Sequence, residues 1–367
     1  MEERRRIDLA GVAAIASRRL VKMAAILWLV LGAVSLVALA QGRPEGAPVR
    51  DLGDEFYSEV RELLNRHAAA TAQQVRSRVA KWPRRPLPRL GQVTGVAVNS
   101  LGQPVVFHRG PRVWDASSFN ASHHFQHVAE GPIAVSTVLT LDPDSGAVLS
   151  DWGSNLFFMP HGLAIDSRDN TWLTDVALHQ VFKFAPGQTR PSLVLGQRLE
   201  PGSGSQHLCQ PTSVAVSSSG EFFVADGYCN SRVLHLSAHG RLVRVIPRPP
   251  EFLSLQVPHG VALIEAEDLL CIADRENMRV TCPRAGLVPF TSAPPATIQA
   301  PDLGRVFDVA ALGEFVYAVN GPTSPLIPVS GFTLDPRSES VLDRWGPKAV
   351  STTDSYAKGN FDMRLPK

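Results

Sequence analysis

An internal repeat of about 50 residues is the feature that most restricts how this chain can fold. Several short strands per repeat at this period are typical of propeller blades. We therefore predict an all-β propeller rather than a β-sandwich, which would not repeat internally. The first strand of the repeat recurs as TGVAV (94–98), HGLAI (161–165), TSVAV (212–216), HGVAL (259–263) and FDVAA (307–311). In the three middle copies a second strand ends in Asp175, Asp226 and Asp274, and a third opens with HQV (179–181), SRV (231–233) and MRV (278–280).

Five repeat units can be delimited along the chain. A length of 367 residues would also allow two domains, but single propellers reach this size. Hydrophobic residues make up 44% of the chain, which excludes wholesale disorder. The formal net charge of +2 gives no reason to expect a nucleic-acid partner. The units span about 90–155, 156–205, 206–253, 254–302 and 303–346.

The N-terminal region predicts export rather than enzyme chemistry. Met23–Ala40 is uncharged and apolar, follows several basic residues and closes with a small-x-small sequence, which is typical of a signal peptide. Its length also permits an uncleaved signal anchor, the only membrane attachment that we predict. We assign 1–42 to this segment and 43–89 to a linker with one helical pattern over 56–79. The rest of the chain is then expected in the secretory pathway, secreted or in a granule lumen.

Four cysteines lie within the predicted propeller. An even number in an oxidising compartment indicates two disulfides, and local pairing is the simplest of the three connectivities. Zinc binding by these cysteines is disfavoured because they form no CxxC pair. Asn120 begins an N-glycosylation sequon, a short motif that supports export weakly. The cysteines are Cys209, Cys229, Cys271 and Cys282.

Two histidines occupy the same position of the repeat. His161 and His259 begin the innermost strands of the second and fourth blades, where Thr94, Thr212 and Phe307 stand in the other units. Equivalent positions lie at the same height around the propeller axis, so both imidazoles should face the central channel. Imidazole is a common zinc ligand, and a catalytic zinc keeps one coordination position open. The alternative is that both are hydrogen-bonded channel residues.

Two further side chains are expected over the same mouth of the channel. Arg109 and Tyr228 lie just past the second strands of the first and third blades. Arginine can grip a substrate carboxylate through two parallel hydrogen bonds. A tyrosine beside a cation and a metal can titrate lower and act as a base. The alternatives are a salt bridge at the rim for Arg109 and an ordinary loop aromatic for Tyr228.

Taken together, the phrases over about residues 89–363 resemble the peptidyl-α-hydroxyglycine α-amidating lyase family. This resemblance implies an NHL-type propeller of six blades that converts a peptide ending in α-hydroxyglycine into an amidated peptide, such as a neuropeptide, and glyoxylate. The matching phrases are VTGVAV (93–98), VVFHRG (105–110), LFFMPHGLAID (156–166), TDVALHQVFK (174–183), CQPTSVAV (209–216), DGYCNSRV (226–233), VPHGVAL (257–263) and CIADREN (271–277).

The resemblance also assigns roles to individual residues. It implies that His161 and His259 bind a catalytic Zn²⁺, and that Arg109 binds the substrate while Tyr228 is the base. A structural Ca²⁺ would be held by backbone carbonyls, those of Val96 and Leu163. The cysteines match the family's pairing, Cys209 with Cys229 and Cys271 with Cys282. A separate copper monooxygenase would act upstream, since the chain shows no sign of such a unit.

The match to the family ends near the C-terminus. Phe361–Met363 follow the family pattern, with Met363 corresponding to a methionine that lines the active site, and the tail 364–367 then diverges. The resemblance places a third zinc histidine, a calcium-binding aspartate and a sixth blade beyond this point. We therefore expect a propeller over 90–363 that lacks its last blade, and little or no lyase activity.

Two other functions are compatible with a propeller. One is a non-catalytic module that binds peptides or proteins, although such a module needs neither the two histidines nor the arginine and tyrosine. The other is a calcium-dependent hydrolase such as a lactonase, which would use carboxylate and amide ligands along the channel rather than imidazoles. Metal analysis separates the three: zinc with calcium for the lyase, neither metal for the binding module, and calcium alone for the hydrolase.

Overall fold

A computed structural model describes residues 82–247, 253–288 and 294–346. These ranges form five antiparallel four-stranded sheets in chain order, blades 1 to 5, and contain no α-helix. The predicted all-β propeller with five blades is therefore confirmed. Blade 1 is β1 (Val93–Val98), β2 (Pro104–His108), β3 (Val138–Leu141) and β4 (Val148–Trp152); blade 2 is β5 (Pro160–Ile165), β6 (Thr171–Asp175), β7 (Gln180–Phe184) and β8 (Leu193–Leu195).

The remaining blades repeat the same up-and-down order. Each sheet pairs its strands in sequence, so the first strand lies at one edge and the fourth at the other. Blade 3 is β9 (Ser213–Val216), β10 (Phe222–Asp226), β11 (Arg232–Leu236) and β12 (Leu242–Ile246); blade 4 is β13 (Pro258–Ile264), β14 (Leu269–Asp274), β15 (Arg279–Cys282) and β16 (Ala296–Ile298); blade 5 is β17 (Val306–Leu312), β18 (Phe315–Asn320), β19 (Gly331–Asp335) and β20 (Ser340–Trp345).

The first strand of each blade is the innermost one. β1 contacts β5, β5 contacts β9, β9 contacts β13, and β13 contacts β17. The approach is close: a side chain at Gly95 in β1 would place its Cβ 2.6 Å from the Cβ of Leu163 in β5. Glycine is required at a position where two backbones approach in this way. Residues at the start of these strands are consequently brought together.

The core lies between successive blades, where large side chains from two sheets interdigitate. Phe107 of blade 1 packs against Phe157 with ring centroids 5.0 Å apart, and Trp172 of blade 2 packs against Phe222 of blade 3 at 4.5 Å. All four side chains are fully buried. Burying each such side chain stabilises the fold by about 1.5–3 kcal/mol, so the stack of blades fixes their mutual positions.

The repeated phrases correspond to one local structure. The aspartate that ends the second strand of blades 2, 3 and 4 is buried. The residue that opens the third-strand phrase has a left-handed backbone conformation, with positive φ. That residue is His179 (φ 56°), Ser231 (φ 48°) or Met278 (φ 52°). The same tight turn therefore joins the second and third strands of all three blades and lies at the mouth where the first strands begin.

The structure forms both disulfides. Cys209 is bonded to Cys229, and Cys271 is bonded to Cys282. Local pairing, the simplest of the three connectivities, is thus the one observed. Disulfides are typical of proteins that fold in an oxidising compartment.

Several predicted segments lie outside the described residues. These are the export segment 1–42, most of the linker with its helical pattern, Met363 and the tail 364–367. A bilayer-spanning helix is absent from the ranges that the structure describes. The last linker residues are described, and Trp82 and Leu87 pack against Val106 and Leu139 of blade 1.

Candidate functional site

The two histidines converge in the channel. His161 lies on β5 and His259 on β13, each within a Pro-His-Gly sequence where the pairing of the first two strands is irregular. Such irregularities re-aim a side chain relative to a regular strand. The ring centroids are 4.7 Å apart. The prediction from the repeat, that both rings lie at one end of the channel, is therefore met by the geometry.

Backbone carbonyls of the next blade orient both rings. His161 Nδ1 lies 2.9 Å from the carbonyl oxygen of Thr212 in blade 3, and His259 Nδ1 lies 2.6 Å from that of Phe307 in blade 5. The Thr212 hydroxyl in turn donates to the carbonyl oxygen of Pro258 at 3.0 Å. These bonds link blades 2, 3, 4 and 5 at the level of the histidines. Each Nδ1 faces an acceptor, so each Nδ1 carries the proton and each Nε2 presents a lone pair.

Burial keeps both rings neutral. Burial, followed by the nearby His259 and Arg109, holds the pKa of His161 well below its ordinary value. Burial, followed by the charge of Arg275, lowers the pKa of His259 to about 3. Neutral imidazoles whose Nδ1 atoms donate to carbonyls are the form in which histidine binds metal ions.

Tyr228 stands between the two Nε2 atoms. Its hydroxyl oxygen lies 3.2 Å from His161 Nε2 and 3.0 Å from His259 Nε2. A phenol has one proton and can donate it to only one of these lone pairs. The other lone pair faces the site without a donor from Tyr228, an arrangement that suits a cation. Among the described residues, no third histidine, cysteine or carboxylate joins the pair as a ligand.

Burial has a larger effect on the pKa of Tyr228 than the neighbouring charges have. Burial raises it above its ordinary value, although the guanidinium groups of Arg275 and Arg109 act in the opposite direction. Without a metal, desolvation therefore outweighs the two arginines, and the expectation that this phenol titrates lower beside a cation and a metal stays a prediction. The adjacent Cys229 forms the disulfide with Cys209, which ties the Tyr228 loop to the strand entry of blade 3.

Arg109 is a buried guanidinium with spare donors. Its side chain is 3% exposed, and burial lowers its pKa to about 10. Nε donates to the carbonyl oxygen of Pro160 at 2.9 Å, and Nη1 donates to Gln92 Oε1. Within the described ranges no carboxylate forms an ion pair with it, so the alternative of a rim salt bridge is not observed. A buried cation without an anionic partner is prepared to bind an anionic ligand.

Sequence reasoning missed Arg275. Its Nη1 donates to the Tyr228 hydroxyl at 3.4 Å, and its guanidinium lies over the rings of Tyr228 and Phe307 at 5.1 and 5.2 Å. The signal was present in the repeat. Arg275 directly follows the last residue of β14, as Arg109 directly follows the last residue of β2. The same register that singled out Arg109 could have found Arg275.

A long loop of blade 1 covers one side of the site. Residues 109–137 join β2 to β3, whereas four or five residues join the second and third strands of blades 2, 3 and 4. Trp114 of this loop lies 5.0 Å from the Tyr228 ring and 6.2 Å from the His161 ring. The guanidinium of Arg109 lies 5.2 Å above the indole. A loop without periodicity gave no sign of this placement.

The other predicted residues lie outside the group formed by Arg109, His161, Tyr228 and His259. Val96 and Leu163 lie on the adjacent inner strands β1 and β5. Asn120 is exposed in the blade 1 loop, where its Oδ1 accepts the backbone N–H groups of Ser122 and His124. His123 lies near the Cys209–Cys229 disulfide, but disulfide sulfurs offer no thiolate ligand, so this cluster is not a metal site.

Asp308 is the one acidic residue on the five inner strands of the structure. It stands beside Phe307 and contacts the position of Gly260, the neighbour of His259. Its carboxylate accepts a hydrogen bond from the Val309 N–H at 2.9 Å, and burial raises its pKa to about 6. The repeat has a small residue at this position in the other blades, so Asp308 breaks the pattern.

Comparisons with known proteins identify the repeat and the relatives of this chain. The NHL repeat model matches residues 208–236 and 255–282, in blades 3 and 4. The Drosophila melanogaster peptidyl-alpha-hydroxyglycine alpha-amidating lyase 2 is 58% identical over 270 residues, which cover 73% of this chain and 66% of the relative. The Xenopus laevis peptidyl-glycine alpha-amidating monooxygenase A is 43% identical, over 77% of this chain and 30% of the relative.

A third relative matches over most of its own length. The probable peptidyl-alpha-hydroxyglycine alpha-amidating lyase pgal-1 of Caenorhabditis elegans is 36% identical over 315 residues, which cover 83% of this chain and 84% of the relative. The chain thus spans most of the nematode relative, just under two thirds of the fly relative and about a third of the frog one. By this likeness, the chain belongs to the peptidyl-alpha-hydroxyglycine alpha-amidating lyase family.

Proposed function

We propose that this protein cleaves peptides that end in α-hydroxyglycine into a C-terminally amidated peptide and glyoxylate. The single observation that carries the proposal is the convergence of two imidazole lone pairs, a phenol and two guanidinium groups at one mouth of the channel. The family relatives named as lyases support this reaction. Hydroxylation of the peptide would be carried out by a separate copper monooxygenase; the frog relative is named as an amidating monooxygenase.

Arg109 is the proposed carboxylate-binding group. Its Nε and Nη1 hydrogen bonds hold the guanidinium plane, and Nη2 donates in none of the bonds described for this side chain. Within the described ranges no carboxylate forms an ion pair with this cation, and the substrate carboxylate would take that place. Charge-assisted bonds to a guanidinium are among the stronger hydrogen bonds in proteins, so this contact would fix the reacting carbon near the histidines.

Tyr228 is the proposed base. As a phenolate it takes the proton of the substrate hydroxyl, the C–N bond of the carbinolamide breaks, and the amide nitrogen receives the proton. The atoms balance without water, so the reaction is a lyase reaction. Arg275 donates to the same oxygen and would stabilise the phenolate. A Zn²⁺ ion held by His161 and His259 would act as a Lewis acid and add positive charge beside the Tyr228 oxygen.

The remaining predicted features complete the proposal. The carbonyls of Val96 and Leu163 would hold Ca²⁺, since carbonyl oxygen suits that ion. Asn120 would carry a glycan, because it is exposed in a loop. The disulfides favour a lumenal or extracellular location.

The test is a single-turnover assay with protein in excess over a tripeptide ending in α-hydroxyglycine, in the presence of Zn²⁺. Excess protein makes even a slow reaction measurable within one turnover. We expect glyoxylate and peptide amide in equal amounts. Tyr228→Phe should lower the rate at least about 100-fold, the usual contribution of a general base. No glyoxylate above the spontaneous rate, or equal rates for both proteins, would contradict the proposal.

A further inference from the structure

Trp114 contacts three of the five side chains to which the proposed function assigns a role. Its ring lies against Tyr228 and His161 on one side, and the Arg109 guanidinium lies over its ring system. The indole itself is only partly buried. No other side chain of the blade 1 loop, within the described ranges, has ring or cation contacts to these residues.

The loop that carries Trp114 is held firmly at both ends. Arg112 forms an ion pair with Glu130 and donates to the carbonyl oxygen of Gly131 at 2.7 Å, which ties the start of the loop to its end. Ile133 then exchanges backbone hydrogen bonds of 2.8 Å with residues 155 and 157, which lead into the His161 strand. The loop therefore presents Trp114 at a fixed place rather than on a free tip.

The apolar side of the loop docks on blade 2. Phe119 packs on Trp114 in a tilted arrangement with ring centroids 5.2 Å apart, and Phe125 packs on Phe158 at 6.1 Å. Both belong to one apolar cluster with Met159 and 176–178, which precede and follow β5 and β6. Phe125 makes no ring contact with Tyr228 or His161, so within the loop Trp114 reaches the site whereas Phe125 supports the loop.

The buried guanidinium of Arg109 is stabilised by an aromatic neighbour such as Trp114. A guanidinium withdrawn from water loses hydration that the carbonyl of Pro160 and the amide of Gln92 replace only in part. The face of an aromatic ring attracts a cation and leaves the N–H groups at the edge free to bind a ligand. An ion pair would occupy those N–H groups instead.

We propose that Trp114 is a positioning residue that holds the Arg109 guanidinium in place, shielded from water, for the carboxylate of the substrate. The blade 1 loop is thus a wall of the site rather than a surface insertion. The role in substrate binding rests on the proposed function, whereas the shielding of Arg109 does not.

The first experiment needs no turnover. The full chain is treated with phenylglyoxal, which modifies accessible guanidinium groups, and labelling of Arg109 is followed by peptide mass mapping. We expect slow labelling in the wild type, in Trp114→Phe, which keeps an aromatic face, and in Phe125→Leu, which alters only the support of the loop. Trp114→Ala should label at Arg109 roughly tenfold faster, the factor that the loss of a cation–π contact of about 1.4 kcal/mol predicts.

Thermal melting shows whether each variant is folded. Labelling of Arg109 that is as slow in Trp114→Ala as in the wild type would overturn the proposal. Equal acceleration by Phe125→Leu would overturn it as well, because the effect would then come from the loop as a whole.

The second experiment measures KM for the α-hydroxyglycine peptide. Trp114→Ala should raise KM about tenfold, Trp114→Phe should restore most of that loss, and in an Arg109→Gln background Trp114→Ala should have no further effect. An undiminished effect in that background would overturn the proposal. Faster labelling of Arg109 in a protein whose wild type shows no turnover would support the shielding role and contradict the proposed function, so the two failures are distinguishable.

Discussion

Blades 2 and 4 supply one histidine each, but they anchor that histidine differently. In blade 2 the carboxylate of Asp175 accepts four backbone N–H groups, two of them from the segment that leads to His161. In blade 4 the carboxylate of Asp274 accepts one backbone N–H, from Gln256, and is completed by two side chains. The repeat thus fixes where the imidazole lies, while the bonds that hold its strand can vary.

The two anchors differ in whether the hydrogen-bond partners of the carboxylate can move. The carboxylate of Asp175 accepts from backbone N–H groups, which cannot rotate toward another acceptor. These belong to Phe158, Met159, Ala177 and Leu178. The side-chain partners of Asp274 are Asn277 and Arg279, whose side chains can move toward water. The blade 2 anchor should therefore be less tolerant of change than the blade 4 anchor.

The largest expected effect is on stability. The side chain of Asp175→Asn keeps one acceptor oxygen, which can still accept two of the four backbone N–H groups. The other two buried N–H groups then face the NH₂ group of the amide, which is a donor. Each orphaned group costs about 1–3 kcal/mol, so we expect a loss of about 4 kcal/mol in the free energy of unfolding. Asp274→Asn should cost about half as much, because its amide can still accept the Gln256 N–H while Asn277 and Arg279 rearrange. Urea unfolding of both variants measures the difference, and a greater loss for Asp274→Asn would contradict the comparison.

Blade 5 extends the comparison to pH. The pKa of Asp308, about 6 in the folded chain against an ordinary value of 3.8, means that the folded state holds this proton more tightly than the unfolded state. The folded state therefore loses stability as pH rises from about 4 to about 6, by up to about 3 kcal/mol. Asp308→Asn should flatten that part of the stability profile. The exposed Asp144→Asn is the control, and a profile unchanged by Asp308→Asn would refute this account.

The smallest expected effect is on zinc affinity. His161→Ala and His259→Ala each remove one imidazole from the same point, so each should weaken Zn²⁺ binding at least tenfold, a change of about 1.4 kcal/mol or more. His239→Ala, which alters an exposed histidine outside the channel, should have no effect. Isothermal titration of the three variants measures this. A large effect of only one channel histidine would show that the two blades do not contribute to one site.

The repeat made the fold and the meeting of His161 and His259 predictable, because a fixed register around an axis translates directly into position. Arg275 was predictable by the same register but was overlooked. Trp114 was not predictable, since a 29-residue loop reaches the site through contacts with other blades that leave no period in the sequence. The rise in the pKa of Tyr228 without a metal was not predictable, because desolvation depends on packing, which a sequence does not give.

The central claim is that imidazoles from two blades bind one cation beside Tyr228. X-ray absorption at the zinc edge tests it most directly, on the full chain loaded with one equivalent of Zn²⁺. We predict two imidazole nitrogens at about 2.0–2.1 Å, reduced to one in either His→Ala variant. A spectrum without imidazole scattering, or one that neither variant changes, would contradict the claim.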